Sequence, residues 1–312
     1  MQFVAAAEVH RLCPWEPLVG ALAESHRKPA PLVDRSELHV ERGGARETYF
    51  NLPAWQPGIA MGTKIVTVMP GNPVGQAALP AVQASYVLCD GTTGTPVALL
   101  DGTALTYCKT AAVSALGSSL LSRPDAATLL IVGAGGLAPH LLAAHRALRP
   151  SIRRTSLWNR SAEKAKALAE LYGGEAVDDL ASAVRSADIV SCATSSTAPL
   201  IQGEWLQPGA HLDLVGAFTP DMRECDDETV TRARLFVDSR WFAIDQPGDL
   251  SSPLRRGIIK RESIEGDLFD LCGKGLVPPR APSDITLFKN GGGAHLDLFT
   301  ALFVWNSVSS KN

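Results

Sequence analysis

The sequence predicts an α/β protein with a doubly wound parallel sheet in the middle of the chain. A β-rich α+β segment precedes the sheet and a helical tail follows it. Three observations carry this prediction. Thr128-Leu129-Leu130-Ile131-Val132 is an apolar, partly β-branched run of the kind that forms a buried parallel strand. Gly133-Ala134-Gly135-Gly136-Leu137-Ala138 follows at once and fits the G-x-G-x-x-A pattern of dinucleotide-binding turns. Beyond it, short strand-like runs alternate with helical stretches, the texture of a Rossmann-type sheet.

Up to about Arg27 the spacing of Leu12, Trp15, Leu18, Val19 and Leu22 is helical, with Pro14 near a helix start. From about Leu32 to Cys108 the texture is β, with runs at 38–40, 48–52, 65–69, 86–89, 96–100 and 104–107. Asp90-Gly91 and Asp101-Gly102 stand between runs as hairpin turns. A small-residue helix is expected over 110–121, and Arg123-Pro124-Asp125 marks a boundary.

In the glycine segment each small residue has a task. Gly133 permits the turn out of the strand, Gly135 lets backbone N–H groups approach a pyrophosphate, and Ala138 lets the next helix lie close to the sheet. Leu137, Leu141, Ala144 and Leu148 recur at helical spacing until Pro150. Ser156-Leu157-Trp158 is the second strand, and its end selects the cofactor. NAD sites place an acid there, roughly 20 residues past the glycines, on the ribose 2′-hydroxyl. Here the residues are Asn159, Arg160 and Ser161. Arg160 can pair with a 2′-phosphate and its neighbours can add neutral hydrogen bonds, so NADPH is expected, with NADH as the alternative. Ser161 also suits the N-cap of a helix over Ala162–Tyr172. Further strands are expected at 189–193, 211–215 and 235–238. The stretch 249–282 looks loop-rich, and 291–304 looks helical.

The 312 residues suffice for two domains, and 46% hydrophobic with 20% charged residues is ordinary for a globular protein. A net charge of −3 gives no reason to expect nucleic acid or a membrane as partner. The six cysteines, at 13, 89, 108, 192, 225 and 272, include no C-x-x-C pair, which suits reduced thiols in a cytoplasmic enzyme. The N-terminal stretch lacks the basic n-region of a signal peptide, and no apolar run reaches membrane-spanning length. No metal site is expected: His140 and His145 are five apart, off a common helix face. Asp226-Asp227-Glu228 reads as an acidic helix start rather than a catalytic pair. The serine pairs at 118–119 and 195–196 lack a nucleophile elbow.

Gly62-Thr63-Lys64-Ile65-Val66-Thr67-Val68, then Lys109-Thr110-Ala111-Ala112-Val113-Ser114-Ala115, the glycine segment, Val215-Gly216-Ala217 and Leu287-Phe288-Lys289 occur in this order. Together they resemble the ornithine cyclodeaminase/mu-crystallin family over nearly the whole chain. The resemblance implies a homodimer. It also implies a substrate and dimerisation domain made of 1–115 with 290–312, and an NADP-binding domain of 116–289. By the same resemblance Lys64 matches a lysine that binds the substrate carboxylate and serves in proton transfer. Lys109 stands where the family usually has arginine; an ammonium neutralises a carboxylate, but as a point charge without the bidentate fork. A third family cation has no clean match, although Arg35, His39, Arg42 and Arg46 are near its place. Thr110, at the start of the helix expected over 110–121, is expected at the pyrophosphate. Ala193, Thr194, Val215, Gly216 and Lys289 are expected around the nicotinamide.

One departure separates the family's activities. Its cyclodeaminases and alanine dehydrogenases carry Asp two residues after the glycine of the V-G-x motif, where this chain has Phe218. Phe218 cannot transfer a proton, and Asp213 and Asp221 are near without matching. The expected function is therefore reduction of a preformed cyclic 2-imino acid. The substrate would be Δ1-pyrroline-2-carboxylate or its six-membered homologue, and the products L-proline or L-pipecolate. Such a reaction needs one hydride and one proton. Two neighbouring ammoniums should bring one pKa toward neutrality, which suits a proton donor. The alternatives are an NAD-dependent ornithine cyclodeaminase, an amino-acid dehydrogenase, and a non-catalytic NADPH-binding protein of the crystallin kind.

Overall fold

A computed structural model describes residues 1–72, 79–273 and 280–309. The chain divides into two compact units. Unit 1 comprises Met1–Ser25, Pro29–Lys109 and Ala294–Asn312; unit 2 comprises His26–Lys28 and Thr110–Gly293.

Unit 1 begins with β1 (Gln2–Val4), which the helical pattern concealed, then α1 (Ala6–Leu12) and α2 (Trp15–His26). The two helices are separate because Pro14 interrupts the pattern between them. There follow β2 (Leu32–Val33), β3 (Ser36–Arg42), β4 (Ala45–Gln56), β5 (Ala60–Val68), β6 (Val82–Asp90) and β7 (Pro96–Asp101). They form a seven-stranded sheet in the order β1-β7-β6-β5-β4-β2, with β3 also paired to β4. The β3–β4 hairpin turns on Gly43 and Gly44, whose φ angles of 61° and 78° are what a two-residue hairpin loop demands. Asp90 does mark a turn: its carboxylate accepts the N–H groups of Thr92 and Thr93 at 3.0 and 2.7 Å.

Asp101-Gly102 is not a hairpin, and 104–107 is not a strand. Gly102 opens a twenty-residue helix, α3 (Gly102–Leu121), and Asp101 accepts the Ala104 N–H at 2.8 Å. An Asp-Gly pair serves a tight turn or a helix start equally well, and here the small-residue run that follows decides for the helix. The division between the units falls inside α3, after Lys109.

Unit 2 runs β8 (Thr128–Val132), α4 (Ala138–Leu148), β9 (Arg154–Trp158), α5 (Ala162–Tyr172), β10 (Glu175–Ala176), α6 (Leu180–Ser186), β11 (Ile189–Cys192) and β12 (His211–Leu214). It continues with α7 (Asp227–Arg232), β13 (Arg234–Val237), α8 (Arg240–Ala243), α9 (Gly248–Arg255), β14 (Ile264–Asp267) and β15 (Thr286–Lys289). All eight strands are parallel, in the order β10-β9-β8-β11-β12-β15-β13-β14. Both faces are covered, so strand residues such as Leu130, Val132, Val190, Cys192, Leu212 and Leu214 form one buried core. The strand order reverses between β8 and β11, and the carboxyl ends there define the crevice where such sheets bind ligands. The acidic run at 226–228 starts α7, with Asp226 accepting the Thr229 N–H at 2.8 Å. Part of the loop-rich stretch, 274–279, lies outside the described residues.

The tail is α10 (Ala294–Ser309), which packs in unit 1 across β4, β5 and β6. It is apolar almost throughout, and Asp297 is its one carboxylate. Among the described residues no helix is long and apolar enough to cross a membrane.

Candidate active site

In unit 2 a cavity of 340 Å³ opens over the carboxyl ends of β8, β9 and β11. It is lined by residues 133–135, 158–161 and 193–196, with Lys164 and Leu200. Gly133 has φ 112°, and a Cβ there would lie 2.6 Å from the Ala193 carbonyl oxygen, so only glycine fits. Gly135 differs. A Cβ there would meet no protein atom within 4 Å and would project into open space beside the cavity. The N–H groups of Gly133, Ala134 and Ala138 bond to Trp158, Asn159 and Gly135 respectively. Those of Gly135, Gly136 and Leu137 make no bond to the described residues. Ala138 is fully buried where α4 begins. A small-residue cradle with unengaged N–H groups at a helix N-terminus fits a pyrophosphate.

The β9 end differs in detail from expectation. Asn159 braces the loops: its Oδ1 accepts the Ala134 N–H at 3.2 Å, and its Nδ2 donates to the Ser161 carbonyl at 3.0 Å. Ser161 is the N-cap residue of α5 and lines the cavity, yet its hydroxyl makes no cap bond. Arg160 is exposed at the cavity edge without an ion pair among the described residues. Lys164, one turn into α5, lines the same cavity. It was not singled out from the sequence, although a lysine in the first turn of the helix that Ser161 begins was a legible signal.

The helix start expected at Thr110 needs correction, and three other expected residues have polar groups that the chain itself engages. Thr110 is interior to α3, not at a helix start, so its N–H belongs to the helix ladder and is not an open donor. Lys289 is fully buried, with its ammonium 2.9 Å from Asp249 Oδ2, and it does not offer that charge to a ligand. The Gly216 N–H donates to Glu224 Oε2 at 2.6 Å and the Val215 N–H to the Cys192 carbonyl at 2.9 Å, so neither group is open. Ala193 and Thr194 do line the cavity.

In unit 1, Lys64 lies on β5 opposite Leu52 of β4 and Tyr86 of β6. Its Nζ is 2.9 and 3.1 Å from the two carboxylate oxygens of Asp297 and 3.5 Å from the Thr106 hydroxyl. The Lys109 Nζ is 2.8 Å from the same Asp297 Oδ2. All three charged side chains are almost wholly buried, at 6%, 1% and 0% exposure. The cluster thus carries two cations and one anion, and Asp297 joins the lysines that the sequence only placed near each other. Lys109 is pushed down from 10.5 to about 7. Burial is the main cause; Asp297 opposes it, and repulsion by Lys64 comes after both. Neutrality is reached, but chiefly through desolvation rather than like-charge repulsion. Tyr86 is fully buried beside Lys64, and its hydroxyl has no hydrogen-bond partner among the described residues.

Asp297 escaped the sequence reading. A lone carboxylate in an otherwise apolar helix was the available signal, because such a group is buried only when paired. The candidates for a third cation are engaged at the surface. Arg35 pairs with Glu37, Arg42 with Glu47 and Arg46 with Glu41, while His39 contacts the Thr48 hydroxyl. Phe218 is 52% exposed, so it is not a core packing residue. Asp213 cannot stand in for the missing acid, because it is fully buried and accepts the hydroxyls of Ser114 and Ser191 at 2.8 and 2.6 Å. Asp221 is exposed.

Residues 17–312 match the ornithine cyclodeaminase/mu-crystallin family. The chain is 42% identical to a Δ1-pyrroline-2-carboxylate reductase of Paracoccus denitrificans, over 97% of this chain and 96% of that one. It is 36% identical to the ketimine reductase mu-crystallin of Mus musculus, over 80% and 77%. Among solved structures it is similar to Thermococcus litoralis Δ1-pyrroline-2-carboxylate reductase in complex with NADH and L-proline. There the TM-score is 0.90 at 26% identity, covering 100% of this chain and 98% of that one. The fold, the glycine cradle and these matches agree: the chain belongs to the ornithine cyclodeaminase/mu-crystallin family.

Proposed function

We propose that this protein is an oxidoreductase that reduces a cyclic 2-imino acid, Δ1-pyrroline-2-carboxylate or its six-membered homologue, to the L-imino acid. The carrying observation is the buried Lys64–Asp297–Lys109 cluster. With Lys109 protonated its net positive charge suits the carboxylate of a small acid, while Phe218 stands where ammonia-releasing relatives have an acid. The names of the relatives supply the substrate class.

A nicotinamide dinucleotide held at the glycine cradle would supply the hydride that C2 of the imine needs. The rest of the chemistry belongs to the chain. Gly135, Gly136 and Leu137 offer N–H groups to the pyrophosphate. Lys64, held by both oxygens of Asp297, fixes the orientation of the substrate carboxylate. The ring nitrogen must carry a proton for C2 to accept hydride. Lys64 and Lys109 are the proton donors at hand, and Lys109, pushed down to about 7, is the one that changes charge near neutrality.

Preference for NADPH is supported by Arg160, Lys164 and the uncommitted Ser161 hydroxyl, two cations and a donor where a 2′-phosphate would lie. The family resemblance supports a homodimer, and the six free cysteines suit a cytoplasmic location. The exposed apolar side chains Leu38, Val40 and Tyr49 of β3 and β4 suit a subunit contact, which light scattering would register as twice the chain mass. The deciding experiment follows dinucleotide oxidation with five- and six-membered ketimine acids, with pyruvate plus ammonia, and with each dinucleotide. Turnover of the ketimines with preference for NADPH is expected. Turnover of pyruvate with ammonia alone, or ammonia release from ornithine, refutes the assignment.

A further inference from the structure

One buried carboxylate of unit 2 directs its side-chain bonds to the loops that carry the nucleotide cavity. Glu224 lies on the segment that leaves β12 and is fully buried. Its Oε1 accepts the N–H and the hydroxyl of Thr194 at 2.7 and 2.9 Å. Its Oε2 accepts the N–H groups of Gly216 and Ala217 at 2.6 and 3.4 Å. One carboxylate therefore joins the end of β11 to the end of β12. The junction is tight: a Cβ on Gly216 would lie 1.9 Å from the Thr194 carbonyl oxygen. The backbone continues the brace. The Glu224 carbonyl accepts from Leu200 and Ile201 at 3.0 and 2.9 Å, and the Arg223 N–H donates to Ser196 at 2.8 Å. Behind it, Asp249 of α9 accepts the Glu224 N–H at 2.7 Å and pairs with Lys289 of β15.

We infer that Glu224 is a positioning residue for the dinucleotide. In its ionised form it holds Thr194 against Gly216 and so keeps the 193–196 wall of the cavity in its binding shape. The inference rests on the proposed function only in that unit 2 takes a nicotinamide dinucleotide. It does not depend on the 2′-phosphate or on the imine.

Several groups face this carboxylate: Asp249 from α9, Lys289 from β15, the thiol of Cys192 on β11, and the donors of Thr194. Burial first and Asp249 second push Glu224 up from 4.5 to about 7, against Lys289 and the Thr194 bonds. Between pH about 8 and about 6 the group therefore passes from an acceptor of four bonds to an acid whose O–H confronts N–H donors.

The test measures the dissociation constant of NADH, which lacks a titrating 2′-phosphate, and then of NADPH, by nucleotide fluorescence across that pH range. Wild type should weaken about tenfold toward the acid end, the size of one charge-assisted hydrogen bond. Glu224→Gln keeps the shape but turns an acceptor into a donor. It should bind weakly at every pH with no step near neutrality, raising the dinucleotide KM while the imino-acid KM and kcat hold. Should that variant not fold, Thr194→Val removes the hydroxyl, with its 2.9 Å bond to Glu224 and its longer one from the Ser196 N–H, and should weaken binding about threefold, while the wild-type profile still stands as a test. A flat wild-type profile, or a Glu224→Gln protein with wild-type affinity and pH dependence, overturns the inference. Failure of wild type to bind either dinucleotide overturns both it and the cofactor reading. Binding with the expected step but no turnover of ketimines overturns the proposed substrate alone.

Discussion

Two buried charge clusters among the described residues are inverses. Unit 1 closes two lysines, Lys64 and Lys109, on one carboxylate, Asp297; unit 2 has two carboxylates, Glu224 and Asp249, with one lysine, Lys289. In each cluster burial moves one member of the like-charged pair to about 7, Lys109 downward and Glu224 upward. The difference lies in what meets the excess charge. Backbone N–H groups and a hydroxyl of the chain converge on Glu224, so that charge organises loops. In unit 1 both ammoniums share the single carboxylate, and the remaining positive charge suits an incoming acid. A buried charge satisfied by the chain builds a site, whereas one left over recruits a ligand.

The comparison breaks most readily at the minority charge of each cluster. Asp297→Asn and Lys289→Met each leave two like charges buried together, and each should cost about 3–5 kcal/mol of stability in urea unfolding. Losses near zero would mean that the clusters are not the closed units described. Next in size is Lys64→Ala. It should lower kcat/KM for the ketimine at least about 100-fold while leaving dinucleotide affinity alone, because the lysine belongs to unit 1.

The clusters should also show opposite pH dependence. Glu224 is raised from 4.5 to about 7, so its contribution to stability is present below 4.5 and is lost as pH rises through about 7. Lys109 is lowered from 10.5 to about 7, so its contribution is present above 10.5 and is lost as pH falls through about 7. Relative to wild type, Glu224→Gln should therefore gain stability toward alkaline pH and Lys109→Met toward acid pH. Unfolding free energies at a series of pH values check this, and slopes of the same sign would contradict it. The smallest effect belongs to Lys164→Met. At this exposed site it should weaken NADPH only a few-fold and NADH not at all, less than Arg160→Met.

Much of unit 2 was legible because local rules and tertiary need agree there. The run 128–132, the glycine turn and Ala138 each have one physical solution, and β8, the cradle and α4 follow. Lys64 and Lys109 were legible only through resemblance to a family. Asp101-Gly102 was misread because the same pair suits a turn and a helix cap. β14 went unseen because Ile264-Glu265-Gly266-Asp267 has one strong β former and owes its pairing to β13. Asp297 and Glu224 were missed for a different reason. Asp297 meets Lys64 across 233 residues, and Glu224 meets Thr194 across 30 through a loop of no regular period. Periodicity carries no information about such encounters.

The central claim is that the positive excess around Lys64, Lys109 and Asp297 receives the substrate carboxylate. It is tested most directly by comparing kcat/KM for the five-membered ketimine acid and its uncharged carboxamide, on wild type and on Lys64→Met. Wild type should prefer the acid by about 10- to 100-fold, the size of a hydrogen bond to a charged group, and Lys64→Met should lower the acid toward the carboxamide. Equal efficiency for acid and carboxamide on the wild-type enzyme would contradict it.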